Sequence, residues 1–114
     1  MTTVYKICSR AEWHAAEATG KYLGSAVDLR DGFIHFSAAA QLAETAAKHF
    51  AGQSDLMLIA VDAEALGAAL KWERSRNDDL FPHLYGALPL GAVHWARPLP
   101  DAVEGKRQIP ELAS

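Results

Sequence analysis

The unbroken apolar run from Leu56 to Val61 is the feature that most limits what this chain can fold into. A run of this kind suits a central strand buried on both faces, so the rest of the chain must supply neighbours and two covering layers. Val4-Tyr5-Lys6-Ile7-Cys8 reads as a first strand, Lys71 to Ser75 as a later one, and Ala92 to Arg97 as the last. Phe33-Ile34-His35-Phe36-Ser37 reads as a short strand whose alternation sends Ile34 and Phe36 to one face and Phe33, His35 and Ser37 to the other.

Helices are expected between these strands. Ser9 opens a capping box with Glu12 and starts a helix to about Thr19, which Gly20 stops. Ser37 can cap a helix from Ala38 to about Phe50, where Leu42, Ala46 and Phe50 recur every four residues and Ala39, Ala43 and Ala47 widen the stripe. Asp62 caps a short helix through about Leu70. The stretches from Lys21 to Gly32 and from Arg76 to Gly91 read as loops, the second broken by Pro82, Gly86, Pro89 and Gly91. Loops of that length in compact domains are often functional. The order of elements predicts an α+β fold with a mixed, mostly antiparallel sheet and two to three helices.

The 114 residues suit one domain, with a core over about 4–99 and a polar, partly loose tail over 100–114. A formal net charge of −3 gives no general attraction to phosphate backbones or anionic membranes, so nucleic acid and membrane partners are not expected. Cys8 is the single cysteine, which removes intrachain disulfides and fits a packing residue in a reducing compartment. No apolar run approaches the ~20 residues of a membrane span, and the N-terminus lacks the order of a signal peptide. A cytoplasmic location is the expectation.

Three short clusters carry the candidate chemistry. His35 and Ser37 share a strand face and together suit a ribose or phosphate, or else a satisfied sheet histidine beside a helix cap. In Trp72-Glu73-Arg74-Ser75-Arg76, the acid could serve bond cleavage and Arg74 and Arg76 could hold phosphate, or the charges pair structurally. In Phe81-Pro82-His83-Leu84-Tyr85-Gly86, His83 and Tyr85 supply polar tips suited to a pocket wall or to a turn tucked on the sheet. His14, His49 and His94 read as surface or sheet filler. His35, His83 and Glu73 lack a diagnostic metal spacing, so no metal is expected. Gly20-Lys-Tyr-Leu-Gly24-Ser25 is too generic for a phosphate cradle.

Taken together, Asp31-Gly-Phe-Ile-His-Phe-Ser37, Trp72-Glu-Arg-Ser-Arg76 and Phe81-Pro-His-Leu-Tyr-Gly86 resemble the bacterial family called domain of unknown function 952. The likeness runs from about Val4 to Leu99. It implies a fold similar to the ADP-ribosyltransferases and RNA 2′-phosphotransferases, with two small sheets forming a cleft for NAD or an ADP-ribose-like group. It also implies that Glu73 and His35 are the catalytic candidates. Ser37 would help to orient the ribose, Arg74 or Arg76 would hold phosphate, and Tyr22 or Tyr85 would stack on a base beside His83. The first strand departs from the transferase pattern in lacking its usual His or Arg. Two readings therefore stay open: a site for a phosphorylated ribose or nucleotide-like ligand, and a non-catalytic module that docks onto a protein partner.

Overall fold

The computed structural model describes residues 2–112. In chain order the elements are β1 (Thr3–Ser9), α1 (Arg10–Thr19), β2 (Lys21–Tyr22), α2 (Ala26–Asp31), β3 (Ile34–His35) and α3 (Leu42–His49), followed by β4 (Leu56–Asp62), α4 (Ala63–Leu66), β5 (Leu70–Arg74), β6 (Leu80–Leu84), β7 (Leu88–Pro89) and β8 (Val93–Leu99). The fold is α+β, and its strands pair antiparallel in the orders β1-β4-β8, β3-β6-β5 and β2-β7. Three sheets and four α-helices are thus described, where the sequence suggested two sheets and two to three helices.

β4 is the central strand that its composition demands. Met57, Ile59 and Val61 pack into one apolar cluster with Val4, Trp13, Ile34, Phe36 and Leu88. Leu56, Leu58 and Ala60 alternate into a second cluster with Tyr5, Ile7, Leu42 and Ala46. Leu58, Ile59 and Val61 are wholly buried. Each such side chain contributes roughly 1.5–3 kcal/mol, about enough to offset the ordering of its own backbone (roughly 1–2 kcal/mol) and rotamers (roughly 0.5–1 kcal/mol). On β8 the register skips His94 between Trp95, opposite Ala60, and Val93, opposite Val61. That extra residue makes a bulge.

Both long loops expected from the sequence are ordered structure. Within Lys21 to Gly32, Lys21 and Tyr22 pair with Pro89 and Leu88, and Ser25 and Asp28 cap α2 reciprocally. Within Arg76 to Gly91, β6 folds back on β5 through a turn in which Asn77 and Asp78 take φ of 57° and 63°. Pro82 is tolerated inside this sheet for a local reason. Its carbonyl accepts from Phe36 N–H at 3.0 Å, so its hydrogen-free nitrogen faces the same side, where β3 has already ended. Ser37 does not cap α3 as expected. Its backbone is taken by a bridge to Tyr5, its hydroxyl lies 2.9 Å from Thr45 Oγ1, and a 3-10 turn over Ala39–Gln41 leads into the helix. Asp62 does cap α4, but that helix ends at Leu66 and continues only as a 3-10 turn.

The tail, expected from the sequence to be partly loose, is tied down at Arg107, Ile109 and Leu112. Arg107 donates to the carbonyls of Phe50 at 3.1 Å, Gln53 at 2.8 Å and Pro100 at 2.9 Å, while Ile109 and Leu112 pack on the second cluster. The guanidinium thereby satisfies carbonyls at and beyond the end of α3, where a cation also suits the helix dipole. No helix of the described residues is long and apolar enough to cross a membrane. Arg107→Ala should lower unfolding free energy by about 1–2 kcal/mol, read from urea denaturation, and should speed amide exchange at Ile109 and Leu112. Unchanged exchange at both positions would refute the strapped tail.

Candidate functional site

A cavity of about 580 Å³ opens along the free edge of β1, between α2 and α3, with β3 and β6 at one end. The edge is open for a geometric reason. Alternate residues of an antiparallel strand turn their N–H and C=O to opposite sides. Tyr5 exchanges both of its backbone hydrogen bonds with Ser37, each at 2.8 Å, on the side away from β4. Ile7 stands two residues on, so its N–H and C=O face that same side, and Ile7 lines the cavity. No hydrogen bond to these two groups is found among the described residues. Apolar walls come from Phe36, Leu42, Phe50 and Phe81.

Asp28 organises the polar end. Its Oδ2 lies 2.8 Å from Lys6 Nζ and accepts from Ser25 N–H at 2.9 Å. Its Oδ1 lies 2.6 Å from His35 Nδ1 and accepts from His35 N–H at 3.1 Å. The other ring nitrogen of His35, Nε2, lies 3.1 Å from Asp31 Oδ2. Asp28 and Lys6 are 2% and 6% exposed, so the pair is largely buried although both residues line the cavity. Burial pulls the Asp28 carboxyl upward, but the hydrogen bond from His35 and the charge and hydrogen bond of Lys6 outweigh it, and the group sits well below the usual carboxylate range. Gly24 is required beside it. At φ +111°, a Cβ there would come within 2.8 Å of the Asp28 Cβ.

A second histidine faces the first across paired positions of β3 and β6. His83 Nδ1 lies 2.9 Å from Glu73 Oε1, and the same oxygen accepts from the Tyr85 hydroxyl at 2.7 Å. Phe33 stacks on the His83 ring at 4.1 Å and stands 4.6 Å from His35 and 5.3 Å from Tyr85. Lys71 Nζ lies 5.4 Å from the centre of the Tyr85 ring. The Tyr85 bond first, then the His83 bond, hold the Glu73 carboxyl below its ordinary value.

Of the residues singled out from sequence, His35, Ser37 and His83 line the cavity. Glu73 and Tyr85 join them only through His83 and Phe33. Tyr22 points into the core beside Trp13, with a buried hydroxyl that finds no partner among the described residues. Arg74 is exposed and pairs with Asp78 at 2.6 Å. Arg76 opens the turn after β5, and its side chain lies outside the described residues. Burial pushes the Cys8 thiol up to about 12, in keeping with a packing role. No group of three potential metal ligands is found among the described residues.

Sequence reading missed Lys6, Asp28 and Ile7. Lys6 stands in mid-strand between apolar neighbours on both faces, and Ser25-x-x-Asp28 is a capping-box spacing. Either could have been noticed. The Ile7 edge depends on which strand lies beside β1 and leaves no trace in residue type.

Asp28→Asn should cost about 3–5 kcal/mol, because it strands a buried lysine. The folded carboxyl is depressed, so its contribution is present above the unfolded value of about 3.9 and fades as pH falls through the lower folded value. Acid denaturation of the wild type should therefore steepen below about pH 4, and the variant should lack that component. Equal acid slopes for the two proteins would refute the assignment.

The sequence profile of the family described as "Protein of unknown function (DUF952)" matches residues 7–96. Protein CC0527 from Caulobacter crescentus is similar in structure. Its X-ray crystal structure aligns with a TM-score of 0.90 at 55% identity, covering 94% of each chain. Its solution NMR structure aligns with a TM-score of 0.83 at 56% identity, covering 95% of this chain and 93% of the other. No curated protein matches the chain. With most of its length matched and a relative of this identity spanning nearly all of it, the chain belongs to the DUF952 family.

Proposed function

We propose that the cavity is a binding site for a nucleotide-like ligand of the NAD or ADP-ribose class, in a cleft of ADP-ribosyltransferase type. The observation that carries this reading is the open Ile7 edge, which offers one donor and one acceptor side by side within a mostly apolar wall. A planar ring bearing an amide or amidine edge pairs with such a backbone and buries its faces against Phe36, Phe50 and Phe81. The polar end, with His35, Ser37 and His83, then suits ribose hydroxyls. A volume of about 580 Å³ lies within the roughly 300–1,000 Å³ of small-molecule sites.

This is a binding site before it is a catalytic one. Cleaving an N-glycosidic bond calls for a carboxylate close to the developing oxocarbenium ion. Of the three carboxylates that line the cavity, Asp28 and Asp31 are engaged by basic partners and Glu12 is held in the capping box of Ser9, while Glu73 stands behind His83. Amide NMR titration with NAD, ADP-ribose and ribose 5-phosphate should give saturable shifts at Ile7, His35, Ser37 and His83. No shift at millimolar ligand would reduce the transferase likeness to one of fold and favour a protein partner.

A further inference from the structure

His35 and His83 lie with ring centroids 5.5 Å apart in an edge-on arrangement, and their nitrogens are committed differently. Both nitrogens of His35 face carboxylate oxygens, Nδ1 on Asp28 and Nε2 on Asp31. His83 has only Nδ1 engaged, on Glu73. Its Nε2 meets no partner among the described residues, yet it is not sealed off. The wholly buried side-chain polar atom without a partner there is the Tyr22 hydroxyl. Since His83 lines the cavity, Nε2 is what it offers a ligand.

The chemistry of Glu73 decides what Nε2 carries. An ionised carboxylate only accepts hydrogen bonds, so Nδ1 must hold the hydrogen and the neutral ring keeps a lone pair at Nε2. Tyr85 donates to the same Glu73 oxygen and fixes it in place, while Phe33 stacks against the imidazole and sets its plane.

We propose that His83 presents this Nε2 lone pair as an acceptor for a ribose hydroxyl of the ligand, and that Glu73 and Tyr85 are positioning residues acting through it. The ligand rests on the nucleotide reading above, whereas the tautomer rests on the protein alone. The ionised oxygens of a nucleotide's phosphodiester or pyrophosphate link offer no hydrogen to Nε2. The fixed positive charges that line the cavity are also matched, Lys6 by Asp28 and Arg30 by Asp31, and both ring nitrogens of His35 face those same carboxylates. This end of the cavity therefore selects hydroxyls, and the phosphates of a nucleotide belong at its mouth.

Long-range ¹H–¹⁵N spectra of histidine-labelled protein at about pH 8, where an unperturbed imidazole is neutral, test this directly. His83 should show the Nδ1–H tautomer, and its Nε2 resonance should move on adding adenosine but not dimethyl phosphate. Glu73→Gln places an amide that can donate to Nδ1. It should shift the ring toward the Nε2–H tautomer and weaken adenosine binding about tenfold, the loss of one hydrogen bond. Tyr85→Phe keeps the carboxylate and should keep the tautomer. An Nε2–H tautomer in the wild type, or unchanged tautomer and affinity in Glu73→Gln, would overturn the proposal. Adenosine binding together with the wrong tautomer overturns this proposal alone. The right tautomer with no response at Ile7, Ser37 or His83 to adenosine, ADP-ribose or NAD overturns the ligand assignment of both subsections.

Discussion

The Asp28 carboxylate is the joint on which the cavity wall hangs. It takes four hydrogen bonds, from Lys6 of β1, from the backbone at the start of α2, and from both the backbone and the ring of His35 in β3. Those elements belong to different layers, and β3 pairs with β6 rather than with β1. A buried ion pair is weak evidence for stability as such, because the desolvation of both ions offsets much of their attraction. Its value here is positional. Its donors come from three separate segments of the chain, which together fix the placement of α2, and Gly24 is needed to let the chain pass so close.

What the sequence revealed follows from which interactions are local. β4 was legible because an apolar run needs no knowledge of its neighbours, and α1 because its capping box is complete within Ser9 to Glu12. The alternation of Ile34 and Phe36 against Phe33 and His35 likewise holds, since the first pair is buried in the core and the second forms the aromatic group with His83. The misread segments are those whose structure is set by partners far along the chain. β2 exists because Leu88 and Pro89 lie opposite it, and β6 is a strand in spite of Pro82 because β3 ends early. Ser37 fits a helix cap in sequence and a sheet bridge in space, and the bridge to Tyr5 is formed instead.

The candidate residues divide along the same line. His35 and Ser37 share a strand face that is visible in the sequence and both line the cavity, whereas Phe36 of the other face lines it too and His83 stands in a segment that reads as a loop. Glu73 and Tyr85 meet them only because β5 pairs with β6 in one register, with Glu73 opposite Phe81 and Lys71 opposite His83. Arg74 is one residue from Glu73 and points away from the cluster to Asp78, as a strand requires. Proximity in sequence thus overstated the arginine and understated Lys6 and Asp28, which stand 22 positions apart (28 − 6) and touch.

The free edge of β1 has a consequence for the protein among its neighbours. An unpaired strand edge is ordinarily a template on which another chain can add, and proteins guard against such aggregation with charges, prolines or cover. Here the unpaired groups of Ile7 lie recessed, with α2 and α3 lining the approach from either side. A polypeptide arriving as a strand brings side chains on both faces, and those would have to fit between α2 and α3 before its backbone could reach Ile7. Cover of this kind is one of the ways in which a strand edge is kept from pairing with another chain.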